Sequence, residues 1–212
     1  MNIEPLFGLR IRTPRLELRL PTEPELNELY ELAEAGIHPP GEMPFGVAWT
    51  DDLTRDSFLA YHHSTRETWT PEGWKIDLGT WIDGVLAGVQ GIGADDYAER
   101  RTIGTGSWLG DRFQGQGVGT EMRTAVVELA FRELGAAAVT SSAFESNTAS
   151  RRVSEKLGYS VVGREFISPR GTPQPHLLLR LERERWSGAP FAVEVEGVEP
   201  CLTLFGAGQQ RT

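Results

Sequence analysis

The stretch Phe113-Gln114-Gly115-Gln116-Gly117-Val118-Gly119-Thr120 sets three alternate glycines ahead of a long apolar-periodic segment. Without Cβ atoms, Gly115, Gly117 and Gly119 let the backbone come close to a ligand and take positive φ at little cost. A helix starting at about Gly117 then aims its first unpaired N–H groups, and the positive end of its dipole, into the loop. The chemistry is anion binding, and a phosphate fits it. A Walker A loop is excluded, because no lysine follows the glycines. A dinucleotide fingerprint fits poorly: position 120 is Thr120, and no acidic strand end lies at the proper distance.

Asn147 and Ser150 form a second pair, one turn apart on the same face of a short helix running to Leu157. Asn147 either bonds a ligand or only caps its helix, and Ser150 either offers a hydroxyl to a site or is an ordinary surface residue. His62 and His63 fall near the end of another helix. With no acidic or thiol cluster beside them they read as a solvated face, and no metal site is expected. Cys201 is the single cysteine, so no intrachain disulfide can form. It reads as a small apolar residue in the tail, far from the glycine loop.

The elements that must position these groups switch between periods of two and 3.6 residues. Thr13 to Pro21 alternates like a strand. Thr22 caps a helix, Glu25 completes a capping box, and Leu26, Leu29, Tyr30 and Ala33 share its apolar face up to Gly36. Residues 37–50 are rich in Pro and Gly but hold His38, Met43, Phe45 and Trp49, a mixture suited to folding over something. A second helix is expected from about Asp51 to Thr68. Trp74 to Ile82, the turn Asp83-Gly84 and Val85 to Ile92 make a hairpin, with Gly88, Gly91 and Gly93 marking a bulge or a close approach. Asp95 to Arg100 reads as a charged loop and Thr102 to Leu109 as a strand.

The helix from about Gly117 to Leu134 is expected to turn Val118, Met122, Ala125, Val126, Leu129 and Ala130 inward and Glu121, Arg123, Glu128 and Arg132 outward. Ala136 to Phe144 is a small-residue strand, and Tyr159 to Phe166 and His176 to Leu181 are two more. Composition changes after Trp186, which divides the chain into a domain over 1–186 and a C-terminal extension over 187–212 with one strand. Leu204-Phe205-Gly206 echoes Leu6-Phe7-Gly8. Both are apolar ends needing cover, which an extra edge strand or a homodimer would give.

The chain has 212 residues, 39% apolar, with six tryptophans, which suits one large mixed α/β domain with a substantial core. A net charge of −9 argues against a phosphate-backbone binder; it either attracts cationic or amine-bearing substrates or merely aids solubility. No segment reaches 18 apolar residues and the N-terminus has no signal-peptide pattern. A cytoplasmic protein without membrane contact is expected.

Gln114-Gly115-Gln116-Gly117-Val118-Gly119 resembles the Gln/Arg-x-x-Gly-x-Gly/Ala loop of the GNAT acyltransferase superfamily. Asn147-Thr148-Ala149-Ser150 and Lys156-Leu157-Gly158-Tyr159 look like the Asn-x-x-Ser and Lys-Leu-Gly-Phe/Tyr segments of its RimJ/RimL-like members. Arg12-Thr13-Pro14-Arg15-Leu16, Met43-Pro44-Phe45, Gly106-Ser107-Trp108-Leu109-Gly110, Gly119-Thr120-Glu121-Met122-Arg123 and the tail tripeptide look like an actinobacterial subgroup that includes a mycobacterial succinyltransferase. The resemblance implies a mostly antiparallel central sheet flanked by helices. In it the strand ending at Trp108-Leu109 splays from the Ala136 to Phe144 strand to admit acyl-CoA.

By the same resemblance, Leu109 would pair with the pantetheine, Asn147 would bond its amide, and the Gln114 to Thr120 loop would hold the pyrophosphate through N–H groups of Gln116, Gly117, Val118, Gly119 and Thr120. Ser150 would put a hydroxyl near the sulfur. Members that acetylate protein N-termini often carry Glu where this chain has Ser142, and others carry a tyrosine acid in the Asn147 helix, where this chain has none; Tyr159 comes after Gly158 and reads as packing. Glu145 has the opposite strand parity, so no base is identified. A lysine is neutral about once in 2,500 at pH 7 and an α-amine about once in seven, so a site without a strong base favours a protein N-terminus or a low-pKa small amine.

The donor that the resemblance implies is acetyl- or succinyl-CoA. A succinyl carboxylate would need donors such as His38, which otherwise is a loop histidine beside two prolines. The function these residues imply is a CoA-dependent N-acyltransferase working by direct amine attack, the alternative being an acyl-CoA-binding module without turnover.

Overall fold

The computed structural model describes residues 1–207. The chain begins β1 (Arg10–Arg12), β2 (Leu16–Arg19), α1 (Glu23–Glu34), α2 (Arg55–Glu67), β3 (Gly73–Ile82), β4 (Val85–Asp95), α3 (Tyr97–Arg100) and β5 (Thr102–Leu109). It continues α4 (Val118–Glu128), β6 (Ala138–Phe144), α5 (Thr148–Leu157), β7 (Ser160–Ile167), β8 (Gln174–Glu182) and β9 (Glu194–Glu196). The strands form one sheet in the order β7-β8-β6-β5-β4-β3-β2-β1-β9. Every neighbouring pair is antiparallel except β5 and β6.

The sheet has helices on both faces because strand side chains alternate. Ile76 and Leu78 of β3 join a core with Met122, Val126 and Leu129, which places α4 on one face. Trp81 and Val89 pack instead with Leu26, Leu29, Tyr30 and Phe58 of α1 and α2. Thr22 starts α1 as expected: its backbone N–H and its hydroxyl both donate to Glu25, at 2.8 Å. Arg19 also pairs with Glu25 and holds that carboxyl down at about 2. The hairpin of β3 and β4 turns at Asp83-Gly84, and its register shifts by a bulge at Thr80/Trp81.

Several expectations need correction. The second helix starts at Arg55, because Thr54 and Ser57 form a reciprocal cap there. His62 is not on a solvated face: it is 4% exposed, since its position one turn after Phe58 carries it beneath α2 against β3. His63 is half-buried and bonds Glu23. The Asp95 to Arg100 loop contains the helical turn α3, anchored by fully buried Tyr97, whose hydroxyl donates to Leu134 O at 2.8 Å. Glu121 and Arg123 of α4 do not face outward. They are 6% and 3% exposed, because α4 is enclosed by the sheet on one side and by α5 and the β1–β2 turn residues Thr13 and Arg15 on others.

The C-terminal extension is part of the same sheet and core through residue 207. β9 pairs with β1, Ile11 opposite Val195. Glu128 accepts from Trp186 Nε1 and Ala189 N, and Arg132 donates to Val193 O. Phe205 is fully buried against Trp69 and Trp74, whose indole N–H groups donate to Leu204 O and Phe205 O. Leu6 is also fully buried in this cluster. The apolar ends that suggested a homodimer are therefore covered within the chain. Residues 208–212 of the extension lie outside the described residues. Among the described residues no helix is long and apolar enough to cross a membrane.

Candidate functional site

The parallel pair β5/β6 holds register over Thr102↔Ala138, Ile103↔Val139 and Gly104↔Thr140, and then stops. β5 runs on to Leu109, paired with β4, while β6 runs on to Phe144, paired with β8. A wedge with its vertex near Thr105 and Ser141 thus opens between the two strands toward their C-terminal ends. Edges of β5 and β6 facing such a gap keep N–H and C=O groups that a ligand can pair with.

The glycine loop lies at the mouth of this wedge. Gly115 and Gly117 take φ of 72° and 81°, the left-handed region that favours glycine. The N–H groups of Gly115, Gln116, Gly117, Val118 and Gly119 have no hydrogen-bond partner among the described residues. Together with the N-terminus of α4 they form an anion cradle. Thr120 differs from the expectation: its N–H donates to Gly117 O at 3.1 Å, since the first turn of α4 closes tightly. A Cβ at Gly119 would meet Leu109 Cδ1 and Val153 Cγ2, both at 3.8 Å, so β5, α4 and α5 converge on this loop.

Side chains brace the cradle rather than fill it. Gln114 Nε2 donates to Leu109 O at 2.9 Å and to Ile37 O at 2.8 Å, stapling the loop to the end of β5 and to the segment after α1. Gln116 Nε2 donates back to Arg112 O. Glu121 accepts from Thr13 Oγ1 at 2.6 Å and Arg15 Nε at 2.7 Å, and Arg15 Nη1 reaches Gln116 O. A cation therefore stands beside the loop despite the net acidity of the chain.

On α5, Asn147 accepts from Ser150 N at 3.0 Å, so its side-chain oxygen caps the helix. Its amide N–H₂ has no partner among the described residues, nor does the half-buried Ser150 hydroxyl. Leu109 is buried against α4, while Trp108 points to the other face and packs on Trp49, with centroids 6.1 Å apart. Ser142 is exposed on that second face, in the same parity as Gly104 and Gly106. Gly106 is itself exposed, with open space above it. Next to it, the carboxylate of Asp77 lies so close over Gly91 that a Cβ there would stand 2.4 Å from Oδ1. On the face away from α4, Gly106 of β5 is thus open, with the Asp77 carboxylate over its β4 neighbour Gly91.

His38 sits apart from Ser150 and Ser142, in an open recess with Thr50 and Asp51. Its Nδ1 bonds Pro39 O at 2.9 Å and its Nε2 bonds Thr50 Oγ1 at 2.8 Å, so both ring nitrogens are engaged. Phe45 packs edge-on against it, and Trp49 lies tilted against Phe45 with centroids 5.2 Å apart. Asp51 receives two hydrogen bonds from Arg170, at 2.8 and 2.6 Å, joining this segment to the β7–β8 turn. Arg170 holds the Asp51 carboxyl below its ordinary range.

Four polar residues that sequence reasoning did not assign to the site meet at the vertex. Arg123 donates to Ser141 Oγ at 3.0 Å and to Ser107 Oγ at 3.2 Å, bridging the two diverging strands from beneath. Tyr159 shares this buried space, next to Arg123 and Thr105. Burial pulls the Arg123 pKa down and pushes the Tyr159 pKa up. The signal for Arg123 was present: positions 125–131, in α4 and the turn that continues it, are apolar but for Glu128, which marks a buried helix.

The GNAT acetyltransferase domain model matches residues 15–160, more than half of the chain. The chain belongs to the GNAT acetyltransferase family. Its fold is similar to that of solved members. Mycobacterium smegmatis RimJ in complex with CoA-disulfide has 17% identity and a TM-score of 0.69, covering 87% of this chain and 92% of that one. RimL, the ribosomal L7/L12 α-N-protein acetyltransferase in complex with coenzyme A, has 16% identity and a TM-score of 0.67, covering 82% and 97%. A GNAT-family acetyltransferase from Bacillus anthracis has 16% identity and a TM-score of 0.65, covering 82% and 99%. Among the described residues of this GNAT chain, no group of three or more His, Cys, Asp or Glu could hold a metal ion.

Proposed function

We propose that this GNAT protein is a CoA-dependent N-acyltransferase that moves an acetyl or succinyl group to a primary amine by direct attack on the thioester. The observation that carries this is the lapse of β5/β6 pairing after Gly104 beside a loop of unpaired N–H groups. The loop from Gln114 to Thr120 holds the pyrophosphate through the N–H groups of residues 116–119. The pantetheine enters the wedge along Leu109 and the amide N–H₂ of Asn147. Ser150 presents its hydroxyl to the sulfur end. The amine approaches from the other face, over Gly106 and beside Ser142, where no helix stands in its way.

With no tyrosine on α5 and no carboxylate at Ser142, approximation supplies most of the rate, and amines that are partly neutral at pH 7 are preferred. A protein N-terminus or a low-pKa small amine meets that condition. RimL, an α-N-protein acetyltransferase, is the relative that suggests the former. The resemblance to the actinobacterial subgroup is what supports the succinyl donor. His38, with both nitrogens engaged, serves the segment over the recess unless Thr50 releases it.

A thermal-shift series with acetyl-CoA, succinyl-CoA and free CoA, followed by thiol release over a panel of amines, tests this. Stabilisation by at least one CoA species and amine-dependent thiol release are expected. No stabilisation by any of them would sink the reading. Stabilisation without thiol release over the whole panel would favour a binding module.

A further inference from the structure

Among the described residues, three buried side-chain polar atoms make no hydrogen bond of good geometry: Gln90 Oε1, Arg123 Nε and Tyr159 Oη, the Tyr159 hydroxyl lying within reach of Arg123 and Thr105. All three lie around the vertex of the wedge. Gln90 stands opposite Ser107 in the β4/β5 register, Arg123 bonds Ser107 and Ser141, and Tyr159 adjoins Arg123 and Thr105. Buried orphans are rare in folded chains, and their gathering at one place is a sign of function.

The charge is equally unusual. Arg123 is 3% exposed, and among the described residues no carboxylate pairs with it. Glu121, two residues away on α4, is turned to Thr13 and Arg15. From β5 the guanidinium faces the hydroxyl of Ser107, from β6 that of Ser141, and from beyond α5 that of Tyr159, whose pKa burial raises, while the Thr105 hydroxyl donates to Thr140 O. A buried cation without a counter-ion is costly and fits a site where negative charge arrives later.

We infer that Arg123 is a fixed positive charge that lets CoA depart as a thiolate, acting through the Ser107 hydroxyl. This rests on the acyl-CoA reading above. Leu109 and Thr105 are four extended residues apart, about 13 Å, a span a pantetheine arm can follow from the loop to the vertex. Ser107 accepts from Arg123, and its own proton has no acceptor among the described residues. That proton is free to point at the sulfur, polarised by the charge behind it. In the reaction the neutral amine forms the C–N bond, the C–S bond breaks with its electron pair on sulfur, and the surplus amine proton passes to bulk water. No acid is then needed, which accounts for a helix α5 without a tyrosine. A charge in a low-dielectric setting is felt at the sulfur without direct contact. Arg123 is in this sense a positioning residue.

The test is the thiol pKa of bound CoA, read by thiolate absorbance across a pH series, with free CoA measured alongside. In the wild type the bound thiol should titrate about one unit or more below free CoA. Arg123→Met should abolish that depression and lower kcat about tenfold or more, with affinity for desulfo-CoA retained. Arg123→Lys should restore part of both, and Ser107→Ala should lose part of both. If the wild-type bound thiol titrates at or above free CoA, the inference is overturned whatever the variants do. Equal thiol pKa values in Arg123→Met, Arg123→Lys and the wild type would overturn it as well. Should Arg123→Met fail to fold, the wild-type titration and Ser107→Ala decide. Absence of CoA binding would overturn the function itself, whereas binding with an unshifted thiol overturns this inference alone.

Discussion

His62 makes the stability of the fold depend on pH in a defined window. It lies under α2, 4% exposed, between Phe58 and Tyr61, with Asp77 3.9 Å from Nδ1 and Arg66, Lys75 and His63 around it. Burial is the largest influence and lowers its pKa from 6.5 to about 4, the Asp77 carboxylate opposing that only in part. The folded chain therefore holds a neutral imidazole where the unfolded chain takes up a proton. Between pH 6.5 and about 4 the unfolded state binds more protons, so stability is full above that window and is lost as pH falls through it. The loss amounts to roughly 3 kcal/mol at the acid end, a large part of the margin of a typical domain.

Replacing His62 by Gln removes the titration while keeping a polar side chain of similar size. Urea unfolding at a series of pH values should show the wild type losing roughly 2–3 kcal/mol more than His62→Gln between pH 7.5 and 4.5. Glu25, held at about 2 by Arg19, also loses stability on acidification, but below its ordinary 4.5 and equally in both proteins. Parallel stability curves for the two proteins would show that His62 is protonated in the fold, and the burial argument would fail.

Gly117→Ala and the exposed-turn control Gly171→Ala both force alanine into left-handed backbone, φ 81° and 79°. Each should cost roughly 1 kcal/mol by thermal denaturation, yet only Gly117→Ala should lose stabilisation by CoA. Ser150→Ala should keep the CoA-induced thermal shift and lower thiol release several-fold, and unchanged turnover would remove Ser150 from the chemistry. Phe205→Ala empties a fully buried site between Trp69 and Trp74. It should destabilise by about 3–5 kcal/mol in chemical denaturation, and a loss under 1 kcal/mol would mean that the tail is not part of the core.

The strands, the hairpin and the glycine loop were legible because each rests on local chemistry: Asp83-Gly84 supplies a turn, Thr22 and Glu25 a cap, and Gly117 a left-handed residue. Gly91 and Gly88 likewise announced close approach, and Asp77 and the Trp108 carbonyl are what come close. The burial of His62, Glu121 and Arg123 was less accessible, because it follows from partners distant in the chain. Glu121 is buried by Thr13 and Arg15, over a hundred residues away, and Arg123 by strands on both sides of the wedge. Helical periodicity sorts residues into faces but does not tell how many faces are covered. The same limit hid the docking of the tail, since nothing near Phe205 in sequence names Trp74 as its neighbour.

The single parallel contact in the sheet has a mechanical consequence. Six strands, from β9 to β5, form one antiparallel plate, and β6, β8 and β7 form another. Only three register pairs of β5 and β6 suture them, reinforced below by Arg123. A ligand lying in the seam with hydrogen bonds to both edges would act as an added rib and couple the smaller plate to the larger. Amide exchange along β6 and β8 would then slow on CoA binding, even at residues that touch no part of the cofactor.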